Sequence, residues 1–272
     1  MPVVTISRGT YSKGKEIAEK LSQRLGYECI SRDIIIEASK EFNIPEVKLI
    51  RALHDAPSVL ERFTYGKERY IAYIRYALLN HVRKDNVVYH GLAGHFFLQG
   101  IPHVLKVRII ANLEDRVKEE MKRANISADE ARKLLKKDDY ERRKWALALY
   151  GIDTNDCKLY DVVFHIDTLK VDDVVDLLEQ IVKRPCFQPT DLSRKILENR
   201  YMEAKIVASL VDQFPHVTAS YNNEKAYISL KAPASKEDEI KKKIEEILKK
   251  DDTLKDIDFE VFIKPIDMYI PD

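Results

Sequence analysis

The sequence predicts an α/β fold in which a parallel sheet is covered by helices on both faces, followed by a small C-terminal α+β module. Apolar strand segments alternate with amphipathic helical stretches as far as residue 183. Polar, glycine-containing clusters fall at the carboxyl ends of those strands, where open parallel sheets bind ligands. Beyond a short stretch with two prolines the alternation stops and a different element order begins.

The first strand is the β-branched run Val3-Val4-Thr5-Ile6-Ser7, and it feeds Arg8-Gly9-Thr10-Tyr11-Ser12-Lys13-Gly14-Lys15-Glu16. Ile17, Leu21 and Leu25 then recur at helical spacing, and Gly26 is placed to stop the helix. A second strand at Glu28-Cys29-Ile30 ends in the polar cluster Ser31-Arg32-Asp33, after which the chain turns helical at Ile34. Pro45 and Pro57 bracket another short helix. A longer one spans 66–83, where Tyr70, Tyr73 and Tyr76, three residues apart, form a packing face.

The run Asn86-Val87-Val88-Tyr89 is a third strand and ends in His90-Gly91-Leu92-Ala93-Gly94-His95. Segment 103–111 has little polar surface and reads as an interior strand. A helix over 113–124 carries Arg116, and Ser127 with Glu130 makes a capping box for a basic helix beyond it. Strand 161–166 and an amphipathic helix through Val174, Leu178 and Ile181 complete the series.

We expect domain boundaries of 1–183, a linker at 184–190, and a module at 191–272 with the order αββαβ. In that module Asn222-Asn223 suits a hairpin turn, Ser235 and Asp238 cap the last helix, and its lysines point to solvent.

The chain has 272 residues, 45% hydrophobic and 33% charged, with a net charge of +1. Whole-chain charge therefore gives no argument for a nucleic-acid or membrane partner, only a local cluster could make one, and we expect neither partner. Three scattered cysteines without a C-x-x-C pair suggest neither a disulfide framework nor zinc. No run approaches the ~18 apolar residues of a membrane span, and no signal pattern opens the chain, so the expected location is cytoplasmic.

Gly9 through Lys15 fit G-x-x-x-x-G-K, the triphosphate-binding loop. In that loop backbone N–H groups and a helix N-terminus face the phosphates, and the lysine reaches the outer ones. With a strand before and a helix after, the pattern predicts a P-loop NTPase fold. Glu16 stands where a Ser or Thr hydroxyl normally helps hold Mg²⁺. Its carboxylate either meets the ion through water, pairs with a neighbouring lysine, or repels phosphate. The set Lys136-Lys137-Asp138-Asp139-Tyr140-Glu141-Arg142-Arg143-Lys144 either stabilises charge on a transferred phosphoryl group or is a solvated helix face. His90 and His95 flank the turn after the third strand and are either ligands, general acid–base groups or, the reading we favour, hydrogen-bonded structural histidines.

Taken together, Thr5-Ile6-Ser7-Arg8, the loop to Ile17, His90-Gly91-Leu92-Ala93-Gly94, Leu113-Glu114-Asp115-Arg116, the pair Asp139 and Arg142, and Tyr160-Asp161 resemble the cytidylate kinase-like family over roughly 1–183. The resemblance implies a nucleoside monophosphate kinase with a core sheet, an acceptor-binding insertion and a short lid. It implies ATP as phosphoryl donor, with Mg²⁺ held mostly through waters and phosphates. By the same resemblance, Gly9, Ser12, Lys13, Gly14, Lys15, Glu16 and Arg116 bind the donor, while Lys15, Asp139 and Arg142 serve catalysis. Arg32, Asp33 and Gly91 face the acceptor, a pyrimidine nucleotide such as CMP. Leu92 departs from the family, whose members commonly carry an arginine there. The tail resembles a BON-type module in element order, which implies a protein partner or self-association. The alternative function is a non-catalytic nucleotide sensor signalling through that module.

Overall fold

The computed structural model of the protein describes residues 2–9, 11–31, 33–42, 66–91 and 94–264. The helix expected between Pro45 and Pro57 lies outside these residues, as do Arg32 and Leu92.

Five strands form the first sheet: β1 (Val3–Arg8), β2 (Glu28–Ile30), β3 (Val87–His90), β4 (Val104–Ala111) and β5 (Val162–Ile166). All pairings are parallel and the order is β2-β3-β1-β4-β5, which makes the opening strand central. The helices of this part are α1 (Gly14–Leu25), α2 (Asp33–Glu41), α3 (Gly66–Val82), α4 (Gly94–Phe97), α5 (Leu113–Ala124), α6 (Ala128–Tyr150) and α7 (Val171–Val182). Successive strand residues face opposite sides of the sheet. Val4 and Ile6 therefore pack with Ile17 and Leu21 of α1 and Val175 and Leu178 of α7. Val3 packs on the other side with Tyr73, Tyr76 and Leu79 of α3. The tyrosine stripe is thus core, with Phe42 stacked on Tyr73 at 4.0 Å between ring centres.

The tail adds α8 (Asp191–Leu210), β6 (Thr218–Asn222), β7 (Lys225–Lys231), α9 (Glu237–Leu248) and β8 (Asp258–Lys264), the order expected. β6 runs antiparallel to β7, and β8 is parallel to it. The intervening stretch contains a single 3₁₀ turn, Pro185–Phe187. The apolar core crosses this stretch without a break: Leu197, Tyr201 and Met202 of α8, Ile228 of β7 and Ile244 of α9 belong to the same cluster as Tyr73 and Tyr76. Polar contacts reinforce the seam. The Tyr73 hydroxyl donates to Asp212 at 2.6 Å, Arg83 lies 4.0 Å from the Tyr201 ring centre, and Arg194 pairs with Asp85 at 2.7 Å.

Two local expectations are corrected. The hairpin turn sits one residue later, at Asn223 and Glu224 with φ of 49° and 64°, because Asn222 still pairs with Lys225. The last helix starts at Glu237 after a 3₁₀ turn over Ala234–Lys236, and its N-cap Lys236 makes no side-chain capping bond. Ser235 is held inside that turn, so it cannot cap.

Candidate active site

The loop between β1 and α1 is built around a short local turn, in which Ser12 donates from both its backbone N–H (3.4 Å) and its Oγ (3.0 Å) to the Gly9 carbonyl. Lys13 caps α1 from the left-handed region (φ 66°), and the helix begins at Gly14. A side chain at residue 14 would place its Cβ 2.6 Å from the Arg8 Cβ and 3.0 Å from its Cδ. The second glycine of the motif is therefore required by the arginine that crosses it.

The motif's charged residues lie on the outer surface. Lys15 Nζ is 3.5 Å from Glu19 and its side chain is 62% exposed. Glu16 pairs with Lys20 at 3.5 Å, and Lys13 with Glu119 of α5 at 3.3 Å. Exposed pairs of this kind hold a side chain weakly. Of the three outcomes open for Glu16, pairing with a neighbouring lysine is the one present.

Cations gather from three other elements. Arg116, in the first turn of α5, is buried and makes a bidentate pair with Asp139 of α6, with both bonds at 2.9 Å. Arg142, less than one helical turn beyond Asp139, donates to the Arg8 carbonyl at 3.4 Å. Burial holds its guanidinium below the usual arginine pKa. Asp138 and Asp139 oppose that shift, while Arg108 and Arg116 add to it. Arg108, on β4, donates to Ser7 Oγ at 2.9 Å and lies 5.8 Å from the Tyr160 ring centre.

Behind Arg108 is a buried polar floor. The Tyr160 hydroxyl donates to the Thr154 carbonyl at 2.9 Å and lies 3.3 Å from Ser7 Oγ and 3.4 Å from His95 Nε2. His95 is 2% exposed, and burial, with Arg108 second, lowers its pKa to about 3. It is a neutral structural imidazole. His90 is likewise buried.

Arg108 was not singled out from the sequence. Its signal is that Lys106 and Arg108 interrupt an otherwise apolar interior strand two residues apart, so both lie on one face. Lys106 is accounted for by Asp161 at 2.9 Å, which leaves Arg108 as the cation at the strand's carboxyl end.

Of the residues expected to face the acceptor, Asp33 begins α2 and Gly91 directly follows β3. A Cβ at Gly91 would lie 2.5 Å from the Tyr89 hydroxyl, so this glycine lets the buried ring pass beneath the turn. Arg8 acts on that hydroxyl, opposing the rise in pKa that burial causes.

Residues 3–168, more than half of the chain, match the model of the cytidylate kinase-like family. A cytidylate kinase of Sulfolobus acidocaldarius is 27% identical over 181 residues, covering 66% of this chain and 93% of its own. One from Thermoplasma volcanium is 34% identical over 95 residues, covering 35% and 50%. Among solved structures, an uncharacterized protein from Eubacterium ventriosum aligns with a TM-score of 0.52 at 18% identity, over 68% of this chain and all of that one, a likeness of fold. The family match ends before the tail. With the central β1, its loop and the arginines above it all inside the matched span, the chain belongs to the cytidylate kinase-like family and is a nucleoside monophosphate kinase-like phosphotransferase.

Proposed function

We propose that the protein transfers the γ-phosphoryl group of ATP to a pyrimidine nucleoside monophosphate, CMP being the first candidate. The observation that carries this reading is that Arg108 and Arg116 both act on the Arg142 guanidinium, adding to the lowering of its pKa that burial causes. Asp139 already answers Arg116, and the charge spread over a transferring phosphoryl group is the anion that Arg108 and Arg142 would meet. In this reading the N–H groups at the start of α1 receive the donor phosphates. Arg142 contacts the transferring group, Arg116 is oriented by Asp139, and Arg108 approaches from β4. Arg32, Asp33 and Gly91 border the acceptor. The cytidylate kinase name of the curated relatives supports CMP as acceptor.

Among the described residues no group of three His, Cys, Asp or Glu side chains is placed to hold a metal ion. In this reading Mg²⁺ accompanying ATP is carried mostly by phosphate oxygens and water, which suits an ion that dehydrates reluctantly. No step of the reading depends on a protein ligand to it.

The test is coupled ADP release across a panel of nucleoside monophosphates. CMP or a related pyrimidine nucleotide should give turnover well above the ATPase background. Background rates with every acceptor would overturn the reading. A sensor that binds nucleotide without transfer is the second reading, favoured by the seam between α8 and α3. Calorimetry showing ATP binding indifferent to every acceptor, with no transfer, would favour it.

A further inference from the structure

The three-stranded sheet of the tail turns Ala226, Ile228 and Leu230 toward α8 and α9 and leaves its opposite face open. Two aromatic side chains stand on that open face. Tyr227 on β7 is 37% exposed and Phe262 on β8 is 49% exposed. Their rings lie 6.3 Å apart between centres and 28° from parallel. Large rings in this position cost hydration free energy unless something covers them.

The charges around the rings divide along the strands. At the near end Lys225 is neutralised by Glu260 at 2.5 Å and Asp258 at 3.5 Å. At the far end Lys231 stands directly opposite Lys264, both are exposed, and neither makes an ion pair among the described residues. Like charges opposed across strands are destabilising. Phe262 and Lys264 are two residues apart on one face, about 7 Å at the usual strand rise. That is within the reach from a base to its own phosphate in an extended nucleotide.

A stacked aromatic pair with an unneutralised cationic pair beside it is complementary to flat bases on a charged backbone. A purely apolar protein surface would leave the opposed ammonium groups uncompensated. We propose that this face binds single-stranded nucleic acid, with bases stacked on Tyr227 and Phe262 and backbone phosphates at Lys231 and Lys264. The near-neutral whole-chain charge hides this site, because the lysines that matter are local. The proposal does not depend on which nucleotide the kinase site accepts.

The test is fluorescence anisotropy of a short fluorescein-labelled oligouridylate with the full chain, run with saturating ATP and CMP so that the kinase site is occupied. Binding should appear at low ionic strength. Phe262→Ala and Tyr227→Ala should each weaken it roughly tenfold, the loss of one stacked base. The double variant Lys231→Gln, Lys264→Gln should reduce the slope of log affinity against log salt by about 1.4, the value for two phosphates of a single strand. Kinase turnover should be unchanged in Phe262→Ala, which separates this surface from the active site. No anisotropy change at low salt, or binding indifferent to all these variants, would overturn the proposal. So would sedimentation showing a concentration-dependent dimer abolished by Phe262→Ala, with no oligouridylate binding; that result would assign the face to a second copy of the chain.

Discussion

Arg142 and Lys15 carry the same charge in opposite circumstances, and single substitutions should separate them. Arg142 is inside the arginine cluster, so Arg142→Ala should lower turnover by about 100-fold or more, the scale of losing a preorganised donor to developing charge. Arg142→Lys should restore only part of it, since a point charge does not reproduce a planar fork. Lys15 is exposed and held only weakly by Glu19, so it is free to swing to bound phosphate, and Lys15→Ala should weaken transfer much more than Lys13→Ala. ADP release at saturating acceptor reads all four, and equal, negligible losses at Lys15 and Lys13 would mean that the loop is not a phosphate site. The pattern G-x-x-x-x-G-K records spacing but not side-chain direction, so it does not reveal that Gly14 also makes room for the Arg8 side chain. Arg108 escaped notice for a related reason: the apolar majority of its strand conceals one charged residue at the functional end. His95 yields a pH prediction. Its folded pKa of about 3 lies below that of an unfolded imidazole, so between the two values the unfolded chain binds the extra proton. The stability contribution is complete above the unfolded value, near 6.5, and falls as the solution is acidified through that window. The urea midpoint of the wild type should therefore drop more between pH 7 and pH 4.5 than that of His95→Gln.

At the scale of elements, α6 shows how local signals position chemistry at a distance. Ser127 and Glu130 form the capping box read from the sequence, with Ser127 N–H donating to the Glu130 carboxylate at 3.0 Å and Glu130 N–H to Ser127 Oγ at 3.3 Å. The basic segment expected as a lid is the middle and end of this one helix, Ala128–Tyr150. Rotating or fraying α6 at its start would move Asp139 and Arg142 together. Ser127→Ala should cost about 1 kcal/mol of stability, measured by denaturant titration, without the 100-fold loss expected from Arg142→Ala. The strands and the longer helices of the kinase part are legible because apolar periodicity runs through them, whereas the four-residue α4 is too short to carry a period and reads in sequence as part of a turn. The tail turns were less so: two adjacent asparagines allow either register of a hairpin, and Ser235 looks like a cap until a 3₁₀ turn consumes it.

At the scale of the molecule, the seam between α8 and α3 makes the tail part of the kinase core. Composition and the two prolines suggest an independent unit beginning near residue 191, because sequence reports where the chain changes character and not where its apolar faces meet. Tyr201 is 4% exposed, packed among Tyr76 and the Arg83 guanidinium. Cutting the chain after residue 183 would strip that cover from α3, and we expect the fragment to aggregate or lose its cooperative transition. Calorimetry of the intact chain should give one transition, and two well-separated transitions would show that the halves fold separately. The gathered guanidiniums of Arg108, Arg116 and Arg142 have a practical consequence as well. A ligand that binds only the folded state raises the melting temperature by mass action, and here any multivalent anion qualifies. Sulfate or phosphate in the buffer should stabilise the protein and blunt the response to added nucleotide. A thermal-shift screen in chloride should rank compounds by phosphate number before base, so finding the true acceptor by melting temperature requires comparing ligands of equal charge.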